Sequence, residues 1–188
     1  MDRSRKILLT TSHNPTPRIR TLCKDLARVI PSIVHVNRGK MSRNLVAEKA
    51  IGHNLDCVAI VDRWHGNPDK IEFFRIDKSG LVPVPPILYI ADIRLQREFT
   101  IKNPKTNCSV AILKQFDSSM AIVDSLSKIL HIPVLSEKEA AGNYLVAMQI
   151  SCYATHRIQM TFILLPQKVE IGPRISLRRI SWELPNES

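Results

Sequence analysis

The chain has 188 residues, 44% of them hydrophobic and 23% charged, with 27 Lys/Arg against 17 Asp/Glu and a net charge of +10. That apolar content can bury a core in one compact domain or two small ones, and the regular spacing of Ile, Leu and Val excludes a disordered chain. The charged opening "MDRSRK" and the short run "ILL" behind it do not make a signal peptide, and no segment approaches the roughly 20 apolar residues of a spanning helix, so a soluble, intracellular protein without a membrane partner is expected.

In chain order, residues 5–11 read as an apolar strand and "TSHNPTP" as a loop. Thr16 is suited to cap a helix and Pro17 to begin it. Ile19, Leu22, Cys23, Leu26, Val29 and Ile30 keep helical spacing, and Pro31 stops the helix. "SIVHV" is a second strand, "NRGKMS" a turn, and a second helix is predicted from about Arg43 to His53. Three strands follow, "CVAIVDRW", "KIEFFRID" and "PILYIADIRL", separated by the turns "HGNPD" and "KSG". The order then restarts: a strand "CSVAILK", a helix "SSMAIVDSLSKIL" capped by Asp117, a short strand "PVLS", and the strands "YLVAMQISC", "RIQMTFILL" and "KVEIGPRISLRRI".

A β-α-β unit followed by a three-strand meander thus occurs twice. Ile7 corresponds to Val110 and Pro31 to Pro133, an offset of about a hundred residues. In the meander the offset drops to 87, which aligns "KIEFF" at Lys70 with "RIQMT" at Arg157 and "VPPILYI" at Val84 with "IGPRISL" at Ile171. The loss matches the second helix with its flanks, so the second copy is expected to lack or shorten that helix, leaving "EKEAAG". The expected fold is α/β: two similar halves, about 1–100 and 106–184, within a single domain 1–188. One continuous sheet with no true duplication is the rival. Pro86 and Pro173 share a place in the two copies and read as the start of the regular part of an edge strand, where a missing N–H is tolerated.

The charge is lopsided. Residues 1–50 hold eleven Lys/Arg against three Asp/Glu, a balance of +8, which leaves +2 for the other 138 residues. A concentrated basic face points to a polyanionic partner. Arg20, Lys24 and Arg28, four apart, stack on one helix face as phosphate contacts would, with Arg18 at the first turn. The counterpart helix carries mainly Ser and Asp there, so the fold itself does not demand the cations. The neutral Thr10, Thr11, Ser12 and Thr16 leave the first helix start open to an anion that Asp117 would repel from the second. "NRGK" places Arg38 and Lys40 around a glycine, with Arg43 just beyond. In the last strand Arg174, Ser176 and Arg178 share the face opposite Ile175 and Leu177. The apolar phase then slips to Ile180 and Trp182, which predicts a bulge near Arg178–Arg179 that re-aims both arginines.

Phosphate-loop, nucleophile-elbow and dinucleotide-binding motifs are missing, and no catalytic residue is assigned. Cys23, Cys57, Cys108 and Cys152 form no C-x-x-C pair and each falls in an apolar run, and the histidines have no ligand spacing, so neither a disulfide framework, a metal nor a cofactor is expected. Aromatic residues are 5% of the chain, which favours backbone and shape recognition over base stacking.

"TTSHNPTPR", the Arg-Gly turn in "VNRGK" and "GPRISLRRI" together resemble the Brix domain superfamily of ribosome-assembly proteins, over nearly the whole chain. Thr10, Thr11, Ser12, Pro15 and Arg18 match its opening motif, Arg38 and Gly39 the second, and Gly172, Pro173 and Arg174 the third; many members have arginine where His13 stands. The resemblance implies two halves each like a synthetase anticodon-binding domain, and binding to ribosomal RNA during ribosome maturation. It is to a stand-alone archaeal form similar to the small-subunit-processome branch, cytoplasmic in an archaeon and nucleolar in a eukaryote. The leading reading is therefore a non-catalytic pre-rRNA-binding factor, with other ribosome-assembly or ribosomal proteins as further partners. The alternatives are a protein-interaction scaffold docking through edge pairing of the final strand, and a tRNA-binding module suggested by the fold analogy.

Overall fold

β1 (Ile7–Thr11) is buried at all five positions, as a parallel interior strand requires. The computed structural model describes residues 6–101, 109–113, 120–153 and 157–184. Pro17 opens α1 (Pro17–Val29) and the helix ends ahead of Pro31, where a following proline disfavours helical backbone. β2 (Ile33–His35) leads to α2 (Arg43–Gly52), whose cap Ser42 accepts the Leu45 N–H at 3.2 Å. The antiparallel β3 (Cys57–Trp64), β4 (Asn67–Asp77) and β5 (Gly80–Arg94) follow, and a 3-10 turn, Gln96–Glu98, closes the segment. The remainder repeats the order: β6 (Val110–Leu113), α3 (Met120–Leu130), β7 (Val134–Leu135), α4 (Glu137–Asn143), β8 (Val146–Cys152), β9 (Ile158–Leu164), a short β10 (Val169–Glu170) and β11 (Arg174–Ser181). The predicted cap Asp117 lies outside the described residues. α4 has seven residues against ten in α2, the expected shortening.

The strands form one continuous sheet in the order β2-β1-β3-β4-β5-β11-β9-β8-β6-β7, with β10 paired to β9. Read inward from each edge, the two series have the same parallel and antiparallel steps. At the central seam Ile87 faces Ser181 and Arg94 faces Arg174, so positions related by the 87-residue offset exchange places across the pairing. α1 and α3 cover one face and share a core with Leu9, Phe73, Leu88, Met148, Phe162 and Ile175. α2 packs on the other face against Leu8, Val58, Ile60 and Phe74, and α4 does the same against Ala111, Ala147 and Ile163. At 1.5–3 kcal/mol for each fully buried aliphatic or aromatic side chain, these three clusters dominate the favourable side of folding.

β11 is not an edge strand. It pairs with β5 on one side and β9 on the other, so edge docking of a partner along it is ruled out over Ile175–Leu177, where both ladders are occupied. The prolines stand just outside the doubly paired stretches instead. Pro83 lies where β5 pairs with β4 alone, Pro85 and Pro86 fall in the irregularity of that pairing between Val84 and Leu88, β11 joins only at Ile87, and Pro173 precedes β11. β5 therefore begins at Gly80, six residues before the predicted start at Pro86. β4 also starts earlier, at Asn67, since positive φ at His65 and Gly66 closes a two-residue turn inside "HGNPD".

The expected bulge is present. Leu177 faces Ile90 and Arg179 faces Tyr89, so Arg178 is the extra residue. Ile175 and Leu177 thereby stay on the core side, Ile180 rejoins it, and the arginines gather on the other face. There each meets a partner from this chain. Arg174 donates from Nε to Glu170 Oε1 at 2.7 Å and pairs with it through Nη2. Arg178 donates to the Ile90 carbonyl at 2.8 Å and pairs with Asp69, and Arg179 lies 4.2 Å from the Tyr89 ring centre.

Burial alone would raise the Glu170 pKa, but hydrogen bonds from Arg174 and Thr161 outweigh it and hold the carboxyl below its ordinary value. A carboxylate whose folded pKa is depressed stabilises the fold above its unfolded pKa and loses that contribution as pH falls through the folded value. Glu170→Gln should therefore flatten the fall of Tm with pH below about pH 4.5, read by thermal melts from roughly pH 3 to 7.

Candidate nucleic-acid interface

β1 lies between β2 and β3 and runs parallel to both. The chain leaves β1 through α1 on one face of the sheet, and reaches β3 through α2 on the other. The carboxyl end of β1 is thus a topological switch point, where crossovers diverge and leave a crevice above the strand ends. An open cleft of about 800 Å³ occupies this place, lined by Thr11, Asn14, Pro15, Arg20, Lys24, His35, Asn37, Arg38, Gly39 and Lys40. Among the described residues no acidic and no aromatic carbocyclic side chain lines it.

The walls are fixed by short-range chemistry. The Thr10 hydroxyl donates to the Val36 carbonyl at 2.8 Å and the Val36 N–H to Leu9 O at 2.9 Å, which extends the β1–β2 pairing up to the Arg-Gly turn. That turn closes on itself, with Met41 N–H to Arg38 O at 3.1 Å and Arg38 Nε to Met41 O at 2.6 Å. Gly39 adopts φ +54°, and a methyl placed on it would meet no atom within 4 Å, so glycine serves the left-handed backbone here and not a tight protein contact. Arg38 is 5% exposed and its Nη2 lies 3.5 Å from His13 Nε2. Burial, then the neighbouring charge of Arg43, pushes its pKa below the usual guanidinium value. Burial, then Lys24, lowers that of His35, which favours the neutral imidazole.

Of the twelve residues expected to meet RNA, the structure brings together Thr11, Arg20, Lys24, Arg38 and Lys40. Ser12 follows directly, its hydroxyl buried and without a hydrogen-bond partner among the described residues, but it is not among the lining. Arg18 turns to the opposite flank of α1, where it donates to Ile93 O at 2.7 Å and lies 3.8 Å from Glu98. Arg28 leans the same way, 3.6 Å from Asp25, a buried carboxylate that accepts the Gln96 N–H at 3.0 Å. Desolvation raises the Asp25 pKa against that hydrogen bond and the nearby arginines. Arg43 opens α2 over the Phe74 ring, on the far face of the sheet. Arg174, Arg178 and Arg179 lie on β11, four strands from β1, which is about 19 Å at the usual strand spacing. Thr16 stands at the helix start, yet its hydroxyl donates to Gly66 O at 2.8 Å and does not cap α1.

Asn14, His35, Asn37 and the Arg38 neighbour His13 were not predicted as site residues. All follow or end β1 and β2, so the switch-point rule would have found them once strand order was known.

No group of His, Cys, Asp and Glu able to hold a metal occurs among the described residues, and none of their helices is long and apolar enough to cross a membrane. Burial pushes the Cys23 thiol up to about 12, while Cys152 is exposed. Alkylation near pH 8 should label Cys152 and spare Cys23 until the chain is unfolded, as peptide mass spectrometry would report.

No family model matches the chain. Among curated proteins it is 34% identical over 97 residues to a probable Brix domain-containing ribosomal biogenesis protein of Thermococcus kodakarensis, covering 52% of this chain and 46% of the relative. A protein of the same description from Aeropyrum pernix is 29% identical over 137 residues, covering 71% and 76%, and one from Methanopyrus kandleri is 23% identical over 187 residues, covering 93% and 94%. The match thus spans under half the length of the Thermococcus and Pyrococcus relatives. Two crystal structures share the fold. A probable ribosomal biogenesis protein from Aeropyrum pernix has TM-score 0.76 and 24% identity over 92% of this chain and 95% of that one. Mil, an archaeal Imp4-like protein, has TM-score 0.65 and 21% identity over 92% and 97%.

Proposed function

We propose that this chain, a homologue of archaeal Brix domain-containing ribosomal biogenesis proteins, acts in ribosome biogenesis by binding ribosomal RNA at the cleft above β1. The observation that carries this reading is the set Arg20, Lys24 and Lys40 on a cleft whose lining holds no acidic side chain among the described residues. Cations with no acidic partner among the described residues, gathered on one rim, fit a polyanionic backbone. The lining offers amides, one hydroxyl, the His35 imidazole and cations, with no carboxylate or thiol among the described residues, which suits holding an anion. The mirrored strand order and the reciprocal seam support reading the chain as one domain of two halves, about 1–100 and 106–184, each similar to an anticodon-binding domain.

Binding of the purified chain to ribosomal RNA fragments and to tRNA, measured across a salt series, tests the reading. Preference for a ribosomal fragment is expected, with log K falling by about 0.7 per phosphate contacted on a single strand. Equal or stronger binding to tRNA would favour a tRNA-binding module, and no RNA binding at low salt would sink the proposal.

A further inference from the structure

We propose that the inner end of the cleft is a built seat for one phosphate group, formed by Arg38 and the Thr11 hydroxyl with Lys40 at its mouth; the RNA reading supplies the natural source of that phosphate. Two independent features point to an anionic ligand. Arg38 is 5% exposed, yet its side-chain partners among the described residues are a carbonyl, Met41 O, and a ring nitrogen, His13 Nε2, with no carboxylate. A buried cation without a counter-ion is costly, and a guanidinium has five N–H donors of which these contacts occupy few. Thr11 is 2% exposed, lines the cleft, and its Oγ1 has no hydrogen-bond partner among the described residues. Buried hydroxyls are ordinarily satisfied, so this orphan, carried by a residue that lines a cationic cleft, is suited to donate to an acceptor seated there.

The chemistry of the lining selects the ligand class. A phosphate oxygen accepts from a guanidinium fork and from a hydroxyl at once, and a second oxygen remains for an ammonium such as Lys40. Thr11 and Arg38 belong to separate segments, held together by the Thr10–Val36 and Leu9–Val36 bonds, so the donors are positioned before any ligand arrives. Among the described residues the lining has no Phe, Tyr or Trp ring and His35 is its one ring able to stack a base, so its cations weight recognition towards the phosphate. Arg18, the helix-start arginine, is committed to Ile93 O and Glu98 and takes no part.

Titration of the full chain with inorganic phosphate, followed by amide NMR at constant ionic strength against chloride, tests the seat. Saturable shifts centred on Thr11, Arg38, Gly39 and Lys40 are expected, with orthophosphate competing against a bound ribosomal RNA fragment. Thr11→Val, which keeps the side-chain shape, should weaken phosphate binding about tenfold, as loss of a hydrogen bond to a charged group does, while leaving Tm in phosphate-free buffer unchanged or higher. Arg38→Lys should retain charge and lose most of the affinity, since an ammonium cannot reproduce the fork. Shifts that never saturate, or that spread over all exposed cations equally in phosphate and chloride, would overturn the seat; if RNA still bound with a salt-dependent affinity, the RNA reading would stand without it. Saturable phosphate binding in a chain that binds no ribosomal RNA would keep the seat and remove the reading.

Discussion

Replacing Arg20, Lys24 and Lys40 together with alanine should flatten the salt dependence of ribosomal RNA binding by about two units of slope and weaken binding roughly a hundredfold near 0.1 M salt. Each single-strand phosphate contact contributes about 0.7 to the slope, so three contribute about 2, and extrapolating that difference from 1 M to 0.1 M gives the affinity loss. The three residues line the cleft, and among the described residues none has an acidic partner, so their removal should cost the fold little. Arg28→Ala is the matched control. It sits on the same helix with its side chain 68% exposed, but Asp25 at 3.6 Å already neutralises it, so its loss should leave the slope nearly unchanged. Filter binding or fluorescence anisotropy across a salt series reads both. A triple variant with the parent slope would take the cleft out of the RNA site.

The contrast between Arg20 and Arg28 shows what local pattern resolves. Spacing of four puts Arg20, Lys24 and Arg28 on one stripe. The buried Asp25, three residues before Arg28, was the available sign that the stripe's lower end is spoken for. Arg18 gave no such sign, because Ile93 and Glu98 lie 75 and 80 residues away and reach it only through the fold. The same divide separates strands from their neighbours. Alternation marked β4, β8 and β9, and a phase slip at Arg178–Arg179 located a bulge that the β5 pairing displays. Alternation says nothing of what lies beside a strand, so β11, rich in arginine and interrupted by proline, looked like an edge and proved central. The charge on that strand is legible only with its partners: Glu170, Asp69 and Tyr89 meet the three arginines on the face away from α1.

Gly172→Ala should lower stability by about 3 kcal/mol, the sum of a left-handed residue without its glycine, roughly 1–2 kcal/mol, and an overpacked contact, roughly 1–3 kcal/mol. Gly172 has φ +66°, and a methyl there would overlap the ring of Phe99. That ring cannot withdraw freely. Arg94 lies 4.3 Å from its centre and Arg174 5.7 Å, and Phe99 N–H donates to Gln96 O at 3.1 Å. The Gln96 side chain in turn donates to Gly172 O at 3.4 Å, and its N–H goes to Asp25 on α1. The break between β10 and β11 therefore seats the corner that follows β5, where the first half of the chain is fastened to the second. For a chain of this size 3 kcal/mol corresponds to about 6–12 °C in Tm, readable by calorimetry. Phe99→Ala in the Gly172→Ala background separates the two causes. Removing the ring should restore the overlap share and leave the backbone share, so the double variant should be more stable than the sum of the single losses allows. Strict additivity would mean that the methyl and the ring do not meet, and that backbone conformation alone explains why glycine stands at 172.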